Sequence, residues 1–132
     1  MHLYLAAPYR FRTTINTIAD WLATEGYTIV STWHTRALEA LDVHILENDY
    51  SDQAREHALV DCEDIDRANH VLVFTLSPQT AQRGGRHFET GYAYGRDIPV
   101  SVLGQAEHVF HRLPGITIYP TLMDWCAAHP AA

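Results

Sequence analysis

Residues 71–75, Val71-Leu-Val-Phe-Thr75, form an apolar run without polar alternation. A strand of this composition needs cover on both faces, as a central strand of a parallel sheet has. Parallel strands cannot be joined by tight turns, so helical crossovers must precede and follow this one. The flanking sequence supplies them. Residues 12–26 place Ile15, Ile18 and Leu22 at helical spacing, with Gly26 as the residue that ends the helix. Residues 51–69 read as a long helix with Ser51 as its N-cap, and 87–95 as a further helix. Short strands are expected at 2–7, 27–31, 98–103 and 116–119, and a terminal helix at 121–129. Residues 32–50 mix aromatic, His and acidic side chains, and read as a loop with a short helix. The expected fold is a single α/β domain over 1–132: a flavodoxin- or Rossmann-like open sheet of about five mostly parallel strands, with helices on both faces. In such sheets ligands sit beyond the carboxyl ends of the strands, so loops 6–12, 32–50 and 77–85 should hold the site.

Composition narrows the chemistry. With 132 residues, 47% of them hydrophobic, the chain can build one core without staples. The net charge of −7 repels a phosphate polymer, so nucleic acid is not an expected partner, although a local patch can still bind a small nucleotide. All nine basic residues are Arg; without Lys there is no Schiff-base lysine, Walker A loop or lysine base. The two cysteines, Cys62 and Cys126, stand far apart and read as reduced thiols of a cytoplasmic protein. No signal peptide or transmembrane run is visible, so no membrane association is expected.

A few residues resist a purely structural reading. Asp61 lies on one helical stripe with Ala54, Ala58, Ile65 and Ala68, a face expected to pack on the sheet. A carboxylate there must be hydrogen-bonded or functional, unless the helix breaks and Asp61 caps a second one. Glu89 follows Gly84-Gly85-Arg86-His87-Phe88, where a loop becomes a helix. In a first helical turn its charge would persist and its pKa would stay low; taken alone, such a residue is more often a helix-start charge than a nucleophile. Strand alternation turns Tyr4 away from Leu3 and Leu5, and its hydroxyl can reach a carboxylate; it is otherwise a half-buried aromatic. Arg83 and Arg86 flank the glycines as candidate anion ligands or plain surface charges, and Trp33 with His34 are candidates to stack on a base or to edge the core. His108-Val-Phe-His111 lacks the spacing and carboxylate of a metalloprotease helix, so no metal and no cofactor is expected.

In order, Leu3-Tyr-Leu-Ala-Ala-Pro-Tyr9, then Asp61-x-x-x-Ile65-x-x-Ala68-Asn-x-Val71, then Gly85-Arg-His-Phe-Glu89-Thr-Gly91-Tyr92-Ala93 resemble the nucleoside 2-deoxyribosyltransferase family and its nucleotide N-glycosidase relatives. The resemblance extends to about Leu103. It implies Glu89 as nucleophile at the anomeric carbon, Asp61 as the acid that protonates the leaving base, and Tyr4 as the residue that positions Glu89. It implies substrate contacts from Ala7, Pro8, Tyr9, Trp33, Gly84, Gly85 and Arg86, with a nucleoside or nucleotide and a free base as partners. Transfer of the sugar to another base is the leading expectation, hydrolysis of a 5′-monophosphate the alternative, and a non-catalytic nucleotide sensor the third. A homodimer or higher even oligomer is also implied, with Tyr92, Tyr94 and Trp125 as apolar surface. The chain departs from the family pattern at Asn69, where Asp is usual, and at Gln82-Arg83, where an Asp or Ser often precedes the glycines. Loop 7–10 lacks the Gly-rich, Arg-containing pattern of the hydrolases' phosphate site.

Overall fold

The computed structural model of the chain describes residues 1–36, 51–75 and 84–131. Five strands form one sheet: β1 (His2–Ala6), β2 (Thr28–Ile29), β3 (His70–Phe74), β4 (Val100–Leu103) and β5 (Thr117–Tyr119). Their order is β2-β1-β3-β4-β5, and every neighbouring pair is parallel. This is the flavodoxin-like order, with its switch point between β1 and β3. The helices are α1 (Arg12–Thr24), α2 (Ser51–Asp66), α3 (Gly85–Gly95) and α4 (Leu122–Ala128). Short 3-10 turns lie at Tyr9–Phe11, Trp33–Thr35 and Val109–Arg112. No described helix is long and apolar enough to cross a membrane.

Every residue of β3 is buried, as its unbroken apolar run requires. The right-handed crossover rule puts α2 and α3 together on the face opposite α1. Register then sorts the side chains. Tyr4 pairs with Val71 and Val71 with Val100, so these three share the α3 face. Leu3, Leu5, His70, Leu72 and Ser101 point the other way, toward α1 and α4. On that side Ile15 and Leu22 of α1 are fully buried, and Trp125 of α4 lies against His70 at 5.1 Å. Trp125, expected as surface for self-association, is therefore core: it is 0% exposed because α4 closes the open end of the apolar layer.

Helix boundaries differ from expectation at informative places. α1 ends with Gly26 at φ 98°, as the terminating glycine predicted. α2 runs unbroken through Asp61, so Asp61 caps nothing. Of its expected packing stripe, Ile65 and the following Ala68 are buried while Ala58 is exposed; α2 meets the sheet only with its last turns. Of the ambiguous stretch 32–50, the described part forms the Trp33–Thr35 turn; residues 37–50, and 76–83 of the glycine loop with Arg83, lie outside the described residues. Gly104 ends β4 at φ 115°, and a Cβ there would collide with Thr75 Oγ1. That hydroxyl donates to Leu103 O at 2.8 Å and accepts from Gln105 N at 2.9 Å, tying together the carboxyl ends of β3 and β4.

Candidate functional site

Gly84 opens α3 in the left-handed region at φ 88°, and Gly85 is the first helical residue. A Cβ built on either would meet no described atom within 4 Å. Helix α3 begins two residues earlier than the pattern suggested, which moves Glu89 into the second turn. There the backbone N–H groups are already engaged within the helix. Glu89 instead faces β1, where the Tyr4 hydroxyl donates to its Oε2. Tyr4 is 0% exposed, so the phenol is a fixed donor rather than a swinging one. Glu89 keeps partial exposure as a residue, yet burial of the carboxyl lifts its pKa from 4.5 to about 8. The expectation of a low pKa held by the helix start is thus reversed.

Asp61 stands on α2, the helix beside α3, and forms an ion pair with Arg36. Arg36 also reaches His57 Nδ1 at 2.9 Å, while its carbonyl accepts the Tyr9 hydroxyl at 2.9 Å. Burial raises the Asp61 pKa and the Arg36 guanidinium opposes the rise. The two helices run parallel, and Tyr92 Oη donates to Asp66 at 3.1 Å. Asp61 lies five residues before Asp66, about 7.5 Å of rise, and Glu89 three before Tyr92, about 4.5 Å.

Several other expected site residues are engaged in contacts within the fold. Arg86 was expected as an anion ligand, but its side chain points inward. It donates to Phe74 O at 2.7 Å and to Glu107 Oε2 at 2.9 Å, with both side chains buried. Trp33 was expected to stack on a base. It is 5% exposed and its indole N–H donates to Leu5 O at 2.6 Å, so the ring is spent on the core. Ala7 is buried, whereas Pro8 and Tyr9 stay partly exposed at the end of β1. His34 is tied to Asn16 at 2.7 Å and Ser31 at 3.0 Å. Arg36 escaped sequence reading because a lone Arg after a loop aromatic carries no pattern. Asp64 escaped too: it is 2% exposed and accepts from Thr32 N at 3.0 Å and Thr32 Oγ1 at 2.7 Å, fastening α2 to the chain after β2. Apart from this site, the ligating nitrogens of His87, His108 and His111 lie within 4.8 Å of one another.

Neither family models nor the sequences of curated proteins give a match to this chain. Among solved structures, the chain is similar to the CMP N-glycosidase BcmB of Clostridium botulinum. The match covers 97% of each chain with a TM-score of 0.56 and 17% sequence identity. At that identity the likeness is one of fold: an α/β sheet of the same design, matched along nearly the whole length.

Proposed function

We propose that this protein cleaves the N-glycosidic bond of a nucleoside or nucleoside 5′-monophosphate, with Glu89 as the group that meets the anomeric carbon. The observation that carries the reading is the buried Tyr4 hydroxyl donating to a desolvated Glu89 beside the switch point of the sheet. Tyr4 occupies one carboxylate oxygen and leaves the other for the sugar. As the C–N bond breaks, positive charge develops on the sugar ring, and an adjacent carboxylate in a dry site stabilises it strongly. A bond from Glu89 oxygen to the anomeric carbon replaces the bond to the base, which leaves with a proton from Asp61. Water or a second base then displaces the sugar from Glu89.

Asp61 can give that proton only if it holds one, and Arg36 works against this. A substrate phosphate that draws the Arg36 guanidinium to itself removes the opposition and lets burial protonate Asp61. This coupling favours a 5′-monophosphate, and the fold likeness to a CMP N-glycosidase supports hydrolysis over transfer. Transfer to a second base, as the family resemblance allows, is the second reading. Self-association belongs to the proposal as well: Leu59 on α2 and Phe88 on α3, next to Glu89, are 57% and 60% exposed, and their pairing would cover the site. Light scattering that finds only the monomer at micromolar concentration would remove that part.

The deciding experiment incubates nucleosides and their 5′-monophosphates, ribo and deoxy, with and without free bases, and follows products by chromatography. Free base plus sugar phosphate indicates the hydrolase, and base exchange the transferase. Binding without turnover would mean a sensor and would overturn the catalytic reading.

A further inference from the structure

We propose that His87, His108 and His111 form a binding site for one divalent transition-metal ion of the zinc type, separate from the Tyr4–Glu89 pair. His87 and Glu89 are two positions apart on α3, about 200° around the helix, so they face opposite flanks. Glu89 looks toward β1, while His87, Gly91 and Tyr94 form the stripe that faces the 3-10 turn carrying His111. The ligating nitrogens of all three histidines lie within 4.8 Å of one another. His87 Nδ1 and His108 Nε2 are 3.0 Å apart. Two nitrogens each 2.0–2.1 Å from one tetrahedral ion must stand about 3.3 Å apart, so this pair is nearly in ligating position already.

Protonation also suits the ion. Burial lowers the His87 pKa, with Arg86 and His108 adding to the effect, and lowers that of His111 to about 4. Glu107 acts in the opposite sense at His87, but its carboxylate is occupied by Arg86. The proton now shared between His87 and His108 moves to the far nitrogen of the ring that carries it. His111 Nε2 is buried without a hydrogen-bond partner among the described residues, a costly state that coordination through that nitrogen would relieve. His111 is the ligand that must rearrange: its Nδ1 accepts the Glu107 N–H at 3.0 Å, and it gives up that contact to coordinate. Three neutral imidazoles select zinc, nickel or copper over calcium or magnesium.

A cavity of about 460 Å³ opens beside the cluster, lined by His87 and His108 together with Tyr94, Phe110 and Ile116. The fourth coordination position would face this largely apolar space, so the ion can hold an exchangeable water or a ligand atom there, unlike a closed four-residue structural site.

The test uses the full chain, free of any affinity tag and stripped with a chelator. Zn2+ is titrated against a chromophoric competitor, and Co2+ is followed by its visible absorption. One equivalent per chain is expected, with the intense spectrum of a tetrahedral site. An outer-shell partner alone is worth about 10–100-fold in affinity, so His87→Ala and His108→Ala should each cost ~100-fold or more. His111→Ala should cost less, and His2→Ala, an exposed histidine elsewhere, nothing. Melting curves of the metal-free variants establish that they fold. His87, half-buried on a helix surface, is the substitution best tolerated, and the wild-type stoichiometry is read without any variant. Absence of stoichiometric binding, or equal affinity after His87→Ala, overturns the proposal.

Discussion

At the scale of single residues, Glu89 carries two opposed demands. Catalysis needs its anion, and burial disfavours that anion, holding the pKa near 8. If the ionised carboxylate is the nucleophile, kcat/KM should rise as pH climbs toward about 8, which a pH–rate profile reads directly. Glu89→Gln should cost about 10³-fold or more in turnover, as loss of a nucleophile does elsewhere. The same change should stabilise the fold at pH 8, because a neutral amide replaces a buried charge; a melting temperature lower than wild type there would contradict the desolvation argument. Tyr4→Phe removes a hydrogen bond to a charged group, worth about 1.5–3 kcal/mol, so kcat should fall roughly 10- to 100-fold with KM little changed. Arg36→Met should erase any preference for a 5′-phosphate while sparing nucleosides, measured as the ratio of kcat/KM values. Strand alternation showed only that the Tyr4 hydroxyl could reach a carboxylate; its pairing with Glu89 came from the family resemblance, and the hydrogen bond between them agrees with it. The pKa of Glu89 was not legible, because it depends on a helix start shifted by half a turn and on what lies beneath.

Among the elements, the junction of β3, α3 and β4 is held by buried polar groups rather than by apolar packing alone. Arg86 joins the end of β3 to Glu107 across the start of α3. Breaking a buried pair by removing one partner strands the other charge and costs about 3–5 kcal/mol, so Glu107→Ala should be far more damaging than a surface change. Replacing both, as Arg86→Met with Glu107→Leu, should recover most of that loss in a denaturant titration. If the double variant is no better than the single, the pair does more than balance itself. Gly104→Ala should cost about 2 kcal/mol or more from the left-handed backbone alone, before its contact with Thr75 is counted. The elements themselves were readable from period and punctuation: Gly26 ends α1 and Thr121 caps α4 by accepting from Asp124 N at 3.1 Å. Arg86 was misread because an arginine beside two glycines looks like an anion ligand. Its true partner, Glu107, lies 21 residues on, and nothing local links them.

For the molecule as a whole, buried titratable groups pull stability in opposite directions. Glu89 has a folded pKa raised from 4.5 to about 8, so the native state holds its proton longer and loses stability as pH rises between those values. His70 and His111 have folded pKa values lowered from 6.5 to about 4, mainly by burial. His70 is wedged against Trp125 and bonded to Ser101 at 2.7 Å, so charging it would place a cation in the core. The unfolded chain takes up protons at these histidines first, so stability falls as pH drops from 6.5 toward 4. Below 6.5 the buried histidines oppose Glu89 and Asp61, whose pKa burial also raises, and with His34 and His87 counted they outweigh the two carboxyls, so stability climbs with pH; above 6.5 Glu89 carries the decline toward 8. The buried His34 and half-buried His87, whose pKa values are also lowered, add to the acid limb. Melting temperature measured from pH 4.5 to 9, with chelator present so that no ion holds the histidines neutral, should therefore peak near pH 6.5. Glu89→Gln should flatten the alkaline limb and leave the acid limb in place, while His111→Gln should shallow the acid limb. A wild-type curve still rising at pH 8 would mean that Glu89 is solvated in the folded chain, and the dry carboxylate on which the proposed chemistry rests would be lost with it.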